Sequence, residues 1–230
     1  GIGAYKLYLM LKELYPDGMR GRDWFYGLMH ESHLMLKLGK RRHTTSSNHP
    51  YRKYKNMIKG LTVNRINQLW VADITYIDTD EGVAYLHLLT DAFTHEIIGW
   101  VLSDSLVASN TVTALEMGIS HVSPLGFDGL IHHSDRGVQY CCNQYIDRLQ
   151  AIKATISMTE DYKPTDNAIA ERVNGIIKQE WLYRMKRPPD VVVARDLLGR
   201  IIGFYNNRRP QRSNRDMLPP VRFREALTCM

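Results

Sequence analysis

Between Ser32 and Ala72 the chain has no Asp or Glu, although nine Lys or Arg fall in that stretch. Long apolar runs are missing as well. None approaches the roughly 18 to 20 residues that cross a bilayer, and the N-terminus lacks the succession of a secretory signal, so a cytoplasmic location is the default expectation. Only three cysteines occur, Cys141 beside Cys142 and Cys229 far away, without a CxxC pair or zinc-knuckle spacing. That excludes a disulfide framework and leaves reduced thiols as the expected state. With 44% hydrophobic and 10% aromatic residues over 230 positions, disordered and fibrous classes are also excluded. The chain opens on Gly1-Ile2-Gly3 instead of Met, which reads as a processed product or a piece of a longer reading frame.

The net charge of +6 is unevenly spread. Residues 1–31 are neutral, 32–72 carry +9, 73–183 carry −10 and 184–230 carry +7. Two basic segments therefore flank an acidic centre. A polyanion-binding protein needs such a partition if its middle also holds a cation, although solvated basic linkers would give the same numbers.

Periodicity divides the chain into four parts. In residues 1–36, Ala4, Leu7, Tyr8, Leu11 and Leu14 recur at helical spacing, Pro16-Asp17-Gly18 is a turn, and Arg22 to Leu36 resumes the helical pattern. This segment reads equally as a helix-turn-helix that binds DNA or as a plain helical hairpin. Residues 37–61 have the composition of a basic linker, in which Lys40, Arg41, Arg42, Arg52, Lys53 and Lys55 lie among tyrosines that can stack on bases. From residue 62 to 184 the pattern predicts strands over Leu69–Ile77, Val83–Leu89 and Ile97–Leu102, then a helix from Ser105, a strand at Gly129–His133, a helix over Val138–Gln150, a strand at Ala154–Met158 and a helix over Asp166–Tyr183. Residues 185–230 supply a last helix and a basic, proline-containing tail. A meander followed by alternating units predicts an α/β fold with one mixed sheet flanked by helices, behind a small N-terminal helical segment.

Three acids in the core stand out. Asp73 interrupts an apolar strand, where a carboxylate is disfavoured and costly to desolvate without a cation. Asp135 directly follows the strand ending at His133, and strand ends of α/β sheets are where sites are built. Glu171 lies in the first turns of the helix opened by Asp166-Asn167. Singly these read as an ion-pair partner, a helix cap and a surface acid. Together they suit metal-assisted phosphoryl transfer, in which Mg²⁺ or Mn²⁺ is held by few carboxylates and two ions stabilise the attacking and leaving oxygens. Lys178, two helical turns beyond Glu171, falls on the same helix face and can reach a phosphate or base.

The segments Leu69-Trp70-Val71-Ala72-Asp73-Ile74-Thr75-Tyr76-Ile77, Leu89-Thr90-Asp91-Ala92-Phe93, Ile98-Gly99-Trp100, Ile131-His132-His133-Ser134-Asp135-Arg136-Gly137-Val138-Gln139-Tyr140 and Asp166-Asn167-Ala168-Ile169-Ala170-Glu171, followed by Lys178 and Glu180, resemble the DDE transposases of the retroviral-integrase superfamily. The resemblance is narrower still to insertion-sequence transposases whose catalytic part is encoded by the second of two overlapping frames. It spans about residues 62 to 225, and Tyr205-Asn206-Asn207-Arg208-Arg209-Pro210 is similar to the family's closing motif.

The resemblance implies an RNase H-like, mixed five-stranded sheet. It also implies that Asp73, Asp135 and Glu171 hold two Mg²⁺ or Mn²⁺ ions, that water cuts the element's end to leave a 3′-hydroxyl, and that this hydroxyl attacks target DNA. The expected partners are double-stranded DNA, further copies of the chain assembled on it, and an upstream-frame protein or fusion; the location becomes a bacterial cytoplasm, on the nucleoid when DNA is bound. Lys178, Arg136, Arg208 and Arg209 join the linker's basic residues as expected DNA contacts. His132 and His133 are expected to pack, since Mg²⁺ prefers oxygen, and Asp91 to be a structural acid. Gln211 and Arg172 depart from the family's usual His and Ser, which touches DNA contacts and no metal ligand. Two rival readings are a catalytically inactive, DNA-binding regulatory derivative and a hybrid-cleaving nuclease of the same fold.

Overall fold

The computed structural model describes residues 2–35, 48–122, 126–160 and 167–228. Two helices, α1 (Ala4–Leu14) and α2 (Arg22–Glu31), form an N-terminal hairpin with its own small core of Ala4, Tyr8, Phe25 and Met29. Trp24 and Leu28 are exposed on α2. The meander follows as β1 (Leu69–Thr79), β2 (Gly82–Asp91) and β3 (Ile97–Ser103), then α3 (Ala108–Val122), β4 (Ile131–Ser134), α4 (Val138–Cys141), α5 (Asn143–Ala151), β5 (Thr155–Met158), α6 (Ala168–Glu180), α7 (Val191–Asn207) and α8 (Pro220–Thr228).

The five strands form one sheet in the order β3-β2-β1-β4-β5. The meander pairs antiparallel, whereas β4 and β5 add in parallel. Alternation along β1 sends Trp70, Ala72 and Ile74 into a core under α3 and α5, while Ile77 joins the opposite core beneath α6 and α7. Gly99 lets α3 lie on β3, because a Cβ there would sit 2.0 Å from the carbonyl oxygen of Ala114. No helix among the described residues is long and apolar enough to cross a membrane.

One expectation needs correction, and two segments read as linker and tail make defined contacts. The single helix predicted over Val138–Gln150 is broken at Cys142, whose extended backbone (φ −66°, ψ 148°) ends α4 while its carbonyl accepts from Tyr145 and Ile146 to start α5. The break turns Tyr140 and Cys141, then Tyr145, Ile146 and Leu149, toward the sheet. The linker is docked over its described part. Met57 N donates to Ser157 Oγ, Met158 N donates to the carbonyl of Lys55, and Ile58, Leu61 and Val63 pack against Leu69 and Val71, so the segment passes from β5 to the start of β1. The tail also folds. Asn206 clamps the start of β3 through the N–H and carbonyl of Ile97, Asn214 reaches the carbonyl of Thr94, and α8 buries Arg224 against Glu96 at 2.6 Å.

Candidate active site

The parallel register brings the two aspartates together. Val71 of β1 pairs with His133 of β4, so advancing two residues along each strand reaches Asp73 and Asp135. Parallel strands advance in step and lie about 4.8 Å apart, so the acids emerge as neighbours where the short β4 ends. Beyond Val71 the β4 side of β1 has no strand partner among the described residues, and the N-terminal end of α6 covers it, with Asn167 Nδ2 donating to the carbonyl of Ala72 at 3.1 Å.

Burial pushes the carboxyl of Asp73 up to about 7, and the neighbouring charge of Asp135 adds to the rise. Asn174 Nδ2 donates to Asp73 Oδ2 at 2.6 Å and the N–H of Ile74 donates to Oδ1 at 2.9 Å, both favouring the charged form; Glu171 repels it more weakly than Asp135 does. Asp135 is held by its own turn, where Gly137 N donates to Oδ1 at 2.8 Å. A Cβ on Gly137 would stand 2.9 Å from that same oxygen, so a larger residue there would push the carboxylate aside. Tyr140 brings a buried phenol beside both aspartates, and burial followed by their charges holds it protonated.

On α6 the buried stripe runs through Ala170, Val173, Asn174 and Ile177. Glu171 flanks it, and Asn174 and Lys178 continue the same edge at three and seven residues on. Lys178 stands 3.7 Å from the centroid of the Tyr76 ring. Among the described residues no three His, Cys, Asp or Glu side chains are gathered closely enough to enclose an ion. The expected triad is thus a close aspartate pair with Glu171 alongside. Each aspartate is tied to a local donor, and mutual repulsion opposes closer approach of three like charges. The donors nevertheless fit a hard divalent cation, being carboxylate oxygens at a buried, electronegative spot.

The expected DNA contacts separate sharply. Arg209 is withdrawn from that role: it is 1% exposed and its guanidinium grips Glu180 through two 2.6 Å bonds while also donating to Gln211 Oε1. The same contact puts Gln211 in the packing. Its neighbour Arg208 is exposed, as are Arg52, Lys53 and Lys55. Arg136 is half-buried beside Asp135, and its carbonyl accepts from His49 Nε2 at 2.8 Å, which fixes the linker to the rim of the site. Lys40, Arg41 and Arg42 lie outside the described residues.

His132 and His133 are buried in hydrogen bonds with Tyr145 and Ser157, as packing requires. Asp91 is fully buried and accepts from the N–H of Asn67 and from both the N–H and hydroxyl of Thr94. Burial pushes the Cys141 thiol up to about 11, which leaves it inert. Sequence reasoning missed Asn174, Gly137 and Tyr140 as parts of the site; the three-residue step from Glu171 was the one signal for Asn174.

This arrangement is an RNase H-like core of the integrase type. Residues 63–164 match the Integrase core domain and residues 152–220 match a second Integrase core domain. The chain is 34% identical over 211 residues to the insertion element IS600 uncharacterized 31 kDa protein of Shigella sonnei, covering 89% of this chain and 75% of that one. It is 33% identical to the putative transposase for insertion sequence element IS986/IS6110 of Mycobacterium tuberculosis, covering 70% of this chain and 58% of the relative. The chain therefore spans less than two thirds of the length of that relative. The catalytic core domain of HTLV-2 integrase, solved in complex with magnesium, shares the fold at a TM-score of 0.53 and 18% identity, over 68% of this chain and 95% of that one. The chain belongs to the insertion-sequence transposases of the DDE integrase superfamily.

Proposed function

We propose that this chain cuts DNA at the ends of an insertion element and joins the freed 3′-hydroxyl to target DNA, with Asp73, Asp135 and Glu171 as its catalytic acids. The observation that carries the reading is the aspartate pair itself. Register forces two carboxylates side by side, one of them desolvated, and among the described residues no basic side chain is hydrogen-bonded to that one. Asp73 and Asp135 would hold Mg²⁺ or Mn²⁺ with Glu171 completing the set. When bound, the cations supply activation of the attacking oxygen and neutralisation of charge on the phosphate.

The residues of the chain do the rest. Asn174 fixes the plane of the Asp73 carboxyl, and the N–H of Gly137 fixes Asp135. Arg52, Lys53 and Lys55, on a segment anchored at His49 and Met57, would form a basic rim for the phosphate backbone that Arg136 and Lys178 extend, while Arg208 is a separate exposed cation assigned to DNA. A DNA-binding regulator without activity would have no use for an acidic pair at the centre of that rim, which would repel DNA. Two element ends must be joined, so we propose a homo-oligomer on DNA, with the N-terminal hairpin or an upstream-frame partner assisting end recognition.

Asp73→Asn, Asp135→Asn and Glu171→Gln are each expected to lower cleavage and strand joining by at least about a thousandfold. Cleavage of labelled end DNA in Mg²⁺, alongside a gel-shift measurement of DNA binding, checks this. Ordinary turnover by any one variant would remove that residue from the site.

A further inference from the structure

A pocket lies between the later part of β1 and the segment that follows α6. It encloses about 230 Å³ and is walled by Tyr76, Asp78, Lys178, Tyr183, Met185 and Arg187. Two features make it a built site. The Tyr76 ring is covered by the Lys178 ammonium at 3.7 Å, which fixes that wall. The opposite wall is pinned to the β1–β2 turn, where Asp80 N donates to the carbonyl of Pro188 at 2.9 Å and Glu81 N donates to that of Pro189 at 3.1 Å. Tyr183 and Met185 nevertheless remain 47% and 44% exposed, so apolar and aromatic surface is held open to solvent beside Arg187.

We infer that this pocket receives a single unpaired nucleobase of the DNA substrate, stacked on Tyr183, a few nucleotides from the scissile phosphate. The inference rests on the DNA reading above and deepens it. Aromatic faces accept any base by stacking, and a cation beside them such as Arg187 holds its phosphate. A base still stacked in a duplex cannot enter so small a pocket, so the base must leave the helix. The position suits a nucleotide a few steps from the cut. Tyr76 is three residues along β1 from Asp73, about 10 Å at 3.3 Å per residue. That distance corresponds to roughly three base steps along a strand.

The test uses the full chain and three DNAs: a blunt duplex, the same duplex with a short unpaired tail carrying the fluorescent base 2-aminopurine, and one whose tail is abasic. The proposal expects the base-bearing tail to bind roughly tenfold more tightly than the blunt and abasic DNAs, with quenching of 2-aminopurine. Tyr183→Ala should lose the preference and the quenching, and Tyr183→Phe should keep both. Equal binding of all three DNAs by the unaltered chain would overturn this inference while leaving the DNA reading in place. A preference for both tails alike would assign the gain to phosphates and would also overturn it. Binding of none of the three would overturn the inference together with the reading on which it rests.

Discussion

Carboxylates are withdrawn from water in two regions of this molecule, on opposite terms. Behind the sheet the buried acids meet a cation or a full set of donors: Glu180 is gripped by Arg209, Glu96 by Arg224 and His121, and Asp91 by Thr94 and Asn67. At the end of β4 the fold does the reverse, setting Asp73 beside a second acid and giving it an amide and one N–H. Burying a charge costs several kcal/mol unless it is compensated, so the first arrangement fixes the C-terminal segment and the second stores an unmet demand for positive charge. The comparison separates structural acids from acids kept for a ligand.

The comparison is broken most severely by removing a cation behind the sheet. Arg209→Ala should cost about 3 to 5 kcal/mol of stability, because Glu180 is left buried and unpaired. Denaturant melting measures it, and the double variant Arg209→Met with Glu180→Leu should recover most of the loss. The site end gives the opposite sign. The Asp73 carboxyl is raised from 3.8 to about 7. The stability that comes with its protonated form is therefore complete below pH 3.8 and is lost as pH rises through 7. In chelator, the unaltered chain should lose up to about 4 kcal/mol over that window relative to Asp73→Asn. Thermal melts of both proteins from pH 4 to 8 test this; parallel curves would show that the charge is already compensated.

Smaller effects sharpen the picture at the rim. Replacing Arg52, Lys53 and Lys55 together by Ala should weaken DNA binding for all sequences and reduce the salt slope by about 0.9 for each phosphate no longer neutralised, read from anisotropy titrations at several salt concentrations. Arg208→Ala, one residue from the buried Arg209, should change stability by no more than about 0.5 kcal/mol in the same denaturant melts.

Much of this was legible along the chain. The run Leu69–Ile77 with its lone Asp73 read as a strand because β-branched and aromatic residues dominate it, and Asp135 was marked by following a short apolar strand. The helical break at Cys142 was not legible, since a stripe through Tyr140, Tyr145 and Leu149 fits one helix as well as two. The docking of residues 48–63 was hidden too, because backbone bonds to Met158 and Ser157 leave no trace in composition. Arg208 and Arg209 are the sharpest case. They are the same residue side by side, and only the turn that ends α7 points one to solvent and the other to Glu180.

The order of residues by itself determined the strands, the helices, the charge partition and which acids were worth watching, because propensity and periodicity act over neighbours. The three-dimensional packing alone decided that Asp73 and Asp135 stand together, that Asn174 reaches the first of them from α6, and that the C-terminal arginines divide between packing and surface. Those outcomes depend on strand register and on the dielectric around each charge, and both are set by groups far apart in the chain.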